Sequence, residues 1–304
     1  MGGIKGGMSV FRHYFKKDPH EGAELHSGDQ RLHLVIFSKD RPCQLASLLE
    51  SLQDHMRWPL ASIHVLFKST SPDFEAGYAL ARRESPIRDI HWQKEGSFRS
   101  DLLSLLERME GRDLIMFLVD DDIVFRSVDL APVMKHFRAD HLFISLRVSS
   151  AYEPLQGWMP CFKQEDGFLM WEWRFHRRKS NAWNYPFSLD GNIYHLDRIR
   201  SIISSVDFKA PNSLEAAMHA YRHVPWVKRI RTGLACVPPC VVNNPLNRVQ
   251  TEGETAHKNI DPAWINACYL RGQRIDNRQL YVQNPGHTHW DLGLPLTPLA
   301  EALF

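Results

Sequence analysis

The stretch DLIMFLVDDD (113–122) runs apolar from Leu114 to Val119 and then places three aspartates in a row. A short run that is apolar on every residue suits a strand buried on both faces, as in a parallel sheet covered by helices. Working outward from it, three more strands are predicted upstream, in LHLVIFS (32–38), IHVLFKS (63–69) and IHW (90–92). Helical segments separate them. QLASLLESLQDHM (44–56) carries Leu45, Leu48, Leu49 and Leu52 at helical spacing, AGYALARRE (76–84) follows, and SFRSDLLSLLERME (97–110) opens on a serine. Strands alternating with amphipathic helices define an α/β chain with a doubly wound first half. In such folds ligands bind beyond the carboxyl ends of the strands. Two polar clusters fall there, SKDRP (38–42) and Asp120–Asp121–Asp122.

The pattern loosens after residue 140. HLFISLRVS (141–149) and FSLDGNIYHL (187–196) read as strands, the second interrupted by Gly191. NSLEAAMHAYRHV (212–224) reads as a helix opened by Asn212, with Glu215 three residues on as in a capping box. Four tryptophans (Trp158, Trp171, Trp173, Trp183) and the basic run HRRK fall between 158 and 183, and from 243 the chain is aperiodic. Residues 1–30 read as a loosely ordered tail. Its VFRHYFKK patch (10–17) is suited to weak contact with a membrane surface.

The 304 residues include 43% hydrophobic ones, too many for a disordered chain. Lys and Arg number 37 against 35 Asp and Glu, a net +2 that argues against a nucleic-acid partner. LIMFLV is too short to span a bilayer, and no signal-peptide pattern opens the chain. Five irregularly spaced cysteines suggest a reducing compartment, so a cytoplasmic location is expected. Cys236 and Cys240 read as buried thiols rather than zinc ligands.

Three adjacent carboxylates repel one another and gain from a cation. In an extended segment Asp120 and Asp122 would face the same side, and oxygen ligands suit Mn²⁺ or Mg²⁺. The plainer reading of DDD is an acidic cap. In SKDRP, Asp40 is placed to meet a base or ribose and Lys39 or Arg41 a phosphate, unless Asp40 only caps the next helix. The Trp-rich stretch is either core or a platform for sugar rings, with HRRK facing an anionic acceptor.

The order of SKDRP, FRSDLLSLL, a strand ending in DDD, a DG segment and an acidic helix start resembles the GT-A class of nucleotide-sugar-dependent glycosyltransferases, in particular the inverting, family-2-like enzymes. The likeness covers roughly 31–225. It implies a GT-A type fold, a Rossmann-like mixed sheet flanked by helices, with a C-terminal acceptor-side region. One catalytic domain would span 31–304, its nucleotide-binding half 31–140 and its acceptor half 141–304. Carried over by position, Ser38 and Asp40 contact the nucleoside, and Arg99 and Asp101 the base and ribose. Asp120 meets ribose and metal, Asp121 lies beside it, and Asp122 ligates the metal. A late histidine completes the ligand set. His257 is preferred over His287 and His289, because NRVQTEGETAH reads like a loop over diphosphate. The donor implied is a UDP- or GDP-type sugar, the acceptor a saccharide or other hydroxyl compound, and the activity that of a hexosyltransferase. For the base that removes the acceptor proton, Glu215 is preferred and Asp190 is assigned to a sugar contact. The family has a Glu-Asp pair where this chain has Leu214-Glu215-Ala216, so Glu215 as helix cap stays open. A nucleotidyltransferase is the rival enzyme, although SKDRP has no glycines for a phosphate loop. A non-catalytic nucleotide- or carbohydrate-binding protein on the same fold is the other alternative.

Overall fold

A computed structural model describes residues 30–152, 158–165, 167–174, 181–247 and 259–298. The first half alternates as the pattern predicts: β1 (Leu32–Lys39), α1 (Pro42–His55), β2 (Leu60–Lys68), α2 (Pro72–Glu84), β3 (Ile90–Lys94), α3 (Phe98–Glu107) and β4 (Leu114–Val119). Next come β5 (Asp122–Val124), α4 (Ala131–His136), β6 (His141–Ser145), β7 (Phe162–Glu165), β8 (Phe168–Glu172), β9 (Asn192–His195), α5 (Leu196–Ser204), α6 (Pro211–Tyr221) and α7 (Pro225–Arg229). The chain closes with β10 (Thr232–Cys236), β11 (Val241–Asn243), α8 (Pro262–Leu270), β12 (Gln273–Ile275), α9 (Asn277–Tyr281) and β13 (Leu296–Pro298).

Nine strands form one mixed sheet in the order β3-β2-β1-β4-β9-β6-β10-β8-β7. Strands β1 to β4 are parallel, and β9 runs antiparallel to both β4 and β6. The chain winds from β1 outward to β3 and then returns across β1 to β4. The β1–β4 boundary is therefore a topological switch point, and in α/β folds ligands bind beyond the carboxyl ends of the strands at such a point. Because β9 is reversed, the residues just before it reach that same edge, as do those just after β6.

Alternation along the strands sends one set of side chains to each face. Val35, Phe37, Ile115 and Phe117 pack with Leu102 and Leu106 of α3 and Ile199 and Ile202 of α5. Leu34, Ile36, Met116 and Leu118 meet Leu45, Leu48, Leu49 and Leu52 of α1. Those four α1 leucines are at most 2% exposed. At about 1.5–3 kcal/mol each, their burial contributes roughly 6–12 kcal/mol before the entropic cost of ordering them. The C-terminal segment, which looks aperiodic in sequence, adds a third cluster: Ile265, Tyr269 and Leu280 pack against Cys43 and Leu80.

Two local readings are corrected. Only Asn192–His195 of the segment 187–196 is strand, since Gly191 takes φ +74 and breaks the extended run. The helix around Glu215 begins at Pro211 instead of after Asn212. Ser213 supplies the cap, its hydroxyl accepting from the Lys209 and Ala210 amides. Among the described residues, no helix is long and apolar enough to cross a membrane.

Candidate active site

Asp120 and Asp121 form a turn after β4 and Asp122 opens β5, so Asp120 and Asp122 do not share one extended face. Asp120 turns back to the β1 loop, where it accepts from the Ser38 hydroxyl at 2.8 Å, the Lys39 amide at 3.0 Å and the Arg41 guanidinium at 2.9 Å. Asp121 accepts from Arg41 at 2.9 Å and from the Asn243 amide at 2.8 Å. Asp122 accepts from the Val119 amide at 3.0 Å and from Asn243 at 3.3 Å. All three are buried, Asp122 completely.

Arg41 is also buried and is bound further by Asn247, through its Nε and Nη2. Its guanidinium braces Asp120 and Asp121, so its placement differs from the phosphate contact expected of it. Asp40 sits at φ 53 with its carboxylate accepting from the Thr70 amide and hydroxyl at 2.8 and 2.9 Å. Asp101 accepts from the Gly96 and Ser97 amides at the head of α3. Arg99 turns to the Val206 carbonyl and the Phe208 ring. Asp101 thus closes a local turn, Asp40 ties the loop after β1 to the loop after β2, and Arg99 joins neither.

A second group lies one strand further along the edge. Asp190 precedes β9, and Arg147 follows β6. The Arg147 Nη1 donates to the Asp190 carboxylate, the Asp190 carbonyl and the Ser188 hydroxyl. Its Nη2 lies 3.3 Å from His289 Nε2, whose Nδ1 is 3.2 Å from Asn243. Asn243 thereby joins this group to Asp121 and Asp122. Gly191 makes the approach possible. It bonds Phe117 of β4 and receives Leu146 after β6, and a Cβ there would lie 3.1 Å from Val241. Glu215 enters from α6. Its carboxyl lies by Tyr185, Leu189 and Asp190, while Ser213 supplies the cap of its helix.

The electrostatics follow from burial and crowding. Burial first, then Asp121, raises Asp120 to about 6 against the pull of Arg41. Burial and the neighbouring Asp190 hold Asp122 well above the carboxylate range. Burial and Asp190 push Glu215 to about 8, with Arg147 opposing. Glu215 as a residue keeps some exposure, but its carboxyl end is desolvated. Burial works against the charge of Arg147, and Asp190, Asp122 and Glu215 outweigh it. Burial and Arg147 lower His289 to about 4, so its ring is neutral near pH 7. The carboxyl groups outnumber the two guanidinia, which leaves the site short of positive charge, and burial followed by like-charge crowding raises Asp120, Asp122 and Glu215.

That shortage, with carboxylate oxygens and a neutral imidazole as donors, matches a divalent cation in charge and ligand type. The side chains do not yet converge, since no group of three His, Cys, Asp or Glu is set to hold a metal among the described residues. Of the candidate histidines, the structure places His289 in the cluster, and His257 lies outside the described residues, as does HRRK. The tryptophans are core. Trp171 and Trp183 meet edge to face at 5.1 Å, and the Trp173 indole donates to the Ile230 carbonyl. Trp158, Trp171, Trp173 and Trp183 are all at most 8% exposed, too buried to form an open sugar platform.

Sequence reasoning missed Arg147, Asn243 and Tyr185. A signal existed for Arg147: it follows the apolar run HLFISL just as DDD follows LIMFLV.

An acid-rich crevice at the switch point of a Rossmann-like sheet is where α/β folds bind nucleotides and related ligands. No known family profile matches the chain. It is similar to the bifunctional glycosyltransferase pgtA of Dictyostelium discoideum, 24% identical over 196 residues, and covers 25% of that relative's length. The match takes in 58% of the present chain. Among solved structures, TarS 1–349 of S. aureus in complex with UDP-GlcNAc aligns at 13% identity and TM-score 0.45, covering 74% of this chain and 60% of that one. The galactosyltransferase LgtC in complex with donor and acceptor sugar analogs aligns at 14% identity and TM-score 0.38, covering 69% and 86%. The resemblance to glycosyltransferases read from the motifs recurs in these proteins, while the fold assignment rests on the sheet itself.

Proposed function

We propose that the chain is a glycosyltransferase that moves a sugar from a nucleoside-diphosphate donor to a hydroxyl acceptor with inversion. The observation that supports this best is the gathering of Asp122, Asp190 and Glu215 around Arg147 at the carboxyl edge of the sheet. The donor's nucleotide would lie along the β1–β4 crevice, on the 31–140 half, and the acceptor on the 141–304 half. Asp122 and His289, with Asp120 alongside, would hold a divalent cation. When bound, Mn²⁺ or Mg²⁺ would supply charge neutralisation for the departing diphosphate.

The remaining chemistry falls to the chain. In an inverting transfer the acceptor oxygen bonds to the anomeric carbon as the bond from that carbon to phosphate oxygen breaks. The acceptor proton must leave at the same time. Glu215 is the base in this reading. Its raised value of about 8 gives its carboxylate the basicity to take that proton near neutral pH, and Tyr185 orients it. Arg147 pairs with Asp190 and fixes it in place, ready to bond hydroxyl groups of the donor sugar.

Incubation with a panel of UDP- and GDP-sugars and Mn²⁺ tests the reading. Nucleoside diphosphate is expected to be released from at least one donor and suppressed by chelator. No release from any donor, with or without acceptors, counts against an enzyme. Release of pyrophosphate from nucleoside triphosphates would favour a nucleotidyltransferase.

A further inference from the structure

Tyr185 lies beside the Glu215 carboxyl, and the main chain on either side of it is well tied. In the 3-10 turn Ala182–Asn184 that precedes it, the Asn181 side chain accepts from the Trp183 backbone amide at 3.0 Å. The Asn184 side chain accepts from the Asn181 backbone amide at 2.8 Å. Beyond Tyr185, the Tyr194 hydroxyl donates to the Pro186 and Ser188 carbonyls at 3.1 and 2.7 Å. Those bonds fix the main chain and leave the phenol to be held by other means. Against its face lies the imidazole of His219, with ring centroids 4.1 Å apart and planes inclined by 26°. His219 follows Glu215 by four residues on α6, so both side chains rise from one face of that helix. The helix that presents the carboxyl therefore also presents the ring that backs its neighbour.

His219 is suited to a passive wall. Its Nδ1 is buried and has no hydrogen-bond partner among the described residues. Such burial is unfavourable, so it is the contact of the ring that offsets it. Burial, then Arg222 and His223, lowers His219 to about 3, so near pH 7 it stacks on the phenol without adding a charge beside Glu215. The placement of the phenol matters because its hydroxyl favours the charged form of Glu215. Around that carboxyl, Asp190 opposes the charged form and Arg147 favours it, while Tyr194 stands behind. On α6 and just after it, Arg222 and His223 are the further charged or titratable neighbours of the Tyr185–His219 pair.

We infer that His219 is a positioning residue of the transfer reaction, its ring holding the Tyr185 hydroxyl against the Glu215 carboxyl. The inference rests on the glycosyltransferase reading for its effect on transfer, while its effect on Glu215 can be read without any activity. The full chain is labelled with ¹³C at the glutamate carboxyls, Glu215→Gln identifies the signal, and its titration is followed by NMR in chelator. His219→Ala should move the midpoint up by about half to one unit, as for one lost neutral hydrogen bond. Tyr185→Phe should give the same shift, and the double variant no more than either alone. His219→Phe, which keeps a ring against the phenol, should restore the wild-type midpoint. In transfer assays His219→Ala should move the kcat inflection by the same amount and lower kcat at pH 7 about three- to tenfold, with the donor KM kept. His219→Phe should recover both. An unshifted Glu215 midpoint in His219→Ala would overturn the role, even where thermal unfolding shows lost packing. Shifts that add in the double variant, or no recovery in His219→Phe, would overturn it as well. Midpoints that move as expected in a protein that turns over no donor would keep the His219–Tyr185–Glu215 arrangement and defeat the glycosyltransferase reading.

Discussion

Arg147→Met removes the guanidinium that faces Asp190, Asp122 and Glu215 while keeping much of the side-chain volume. Its partners are buried, so the loss leaves carboxylates without their counter-charge. Breaking a buried pair in this way costs about 3–5 kcal/mol. At this chain length each kcal/mol moves Tm by about 2 °C, so a fall of about 6–10 °C is expected. The pH dependence has a fixed sign. Burial and Asp190 already raise Glu215 from 4.5 to about 8, and Arg147 opposes that rise. Without Arg147 the folded-state value of Glu215 moves further above its unfolded value. An acid raised on folding binds more protons in the native state, so stability is lost as pH increases between the two values. The deficit of the variant should therefore be larger near pH 8 than near pH 5, as read by calorimetry in chelator. Adding Asp190→Asn should recover part of the loss, because both charges are then gone. Wild-type Tm at both pH values would refute the claim that Arg147 carries the charge balance of the site.

Glu215→Gln should lower kcat for transfer by roughly 10²–10⁴-fold with the donor KM kept, the range for a lost general base. Wild-type kcat should rise with pH towards an inflection near about 8, and the variant should lack it in a stopped assay across pH. Asp122→Asn relieves a buried acid held well above its usual range, so thermal unfolding near neutral pH should be unchanged or occur at higher temperature. The same variant should lose the Mn²⁺-dependent part of UDP or GDP binding in calorimetric titration. Gly191→Ala puts a side chain at φ +74 and within 3.1 Å of Val241, a strain of about 1–2 kcal/mol visible in denaturant unfolding.

The parallel half of the fold was legible because its central strands β1 and β4 are almost wholly apolar and α1 and α3 repeat Leu at helical spacing. Position after a buried strand also found Ser38, Asp120 and Asp122. Much of the second half was hidden for physical reasons. β7 and β8 are short antiparallel strands, with Lys163, Gln164 and Glu172 breaking the apolar pattern, and α8 and α9 lack a clear stripe. Glu215 was singled out by its place in a helix start, and the structure gives the capping there to Ser213, leaving Glu215 as the base proposed above. Arg41 illustrates the opposite limit. An arginine at a strand end suggests phosphate, yet here two adjacent aspartates and Asn247 take its donors. Arg147, Asn243 and His289 meet only through folding, His289 lying 46 residues from Asn243 and 142 from Arg147 in sequence.

Anomeric ¹H NMR of a reaction containing an α-linked nucleotide sugar, Mn²⁺ and a neutral methyl glycoside reads transfer and stereochemistry together. An inverting glycosyltransferase gives a new β-anomeric doublet that grows as donor is consumed, and Glu215→Gln removes it. No new glycoside from any donor and acceptor, or a first-formed α-anomer, would contradict the proposed activity or its inversion.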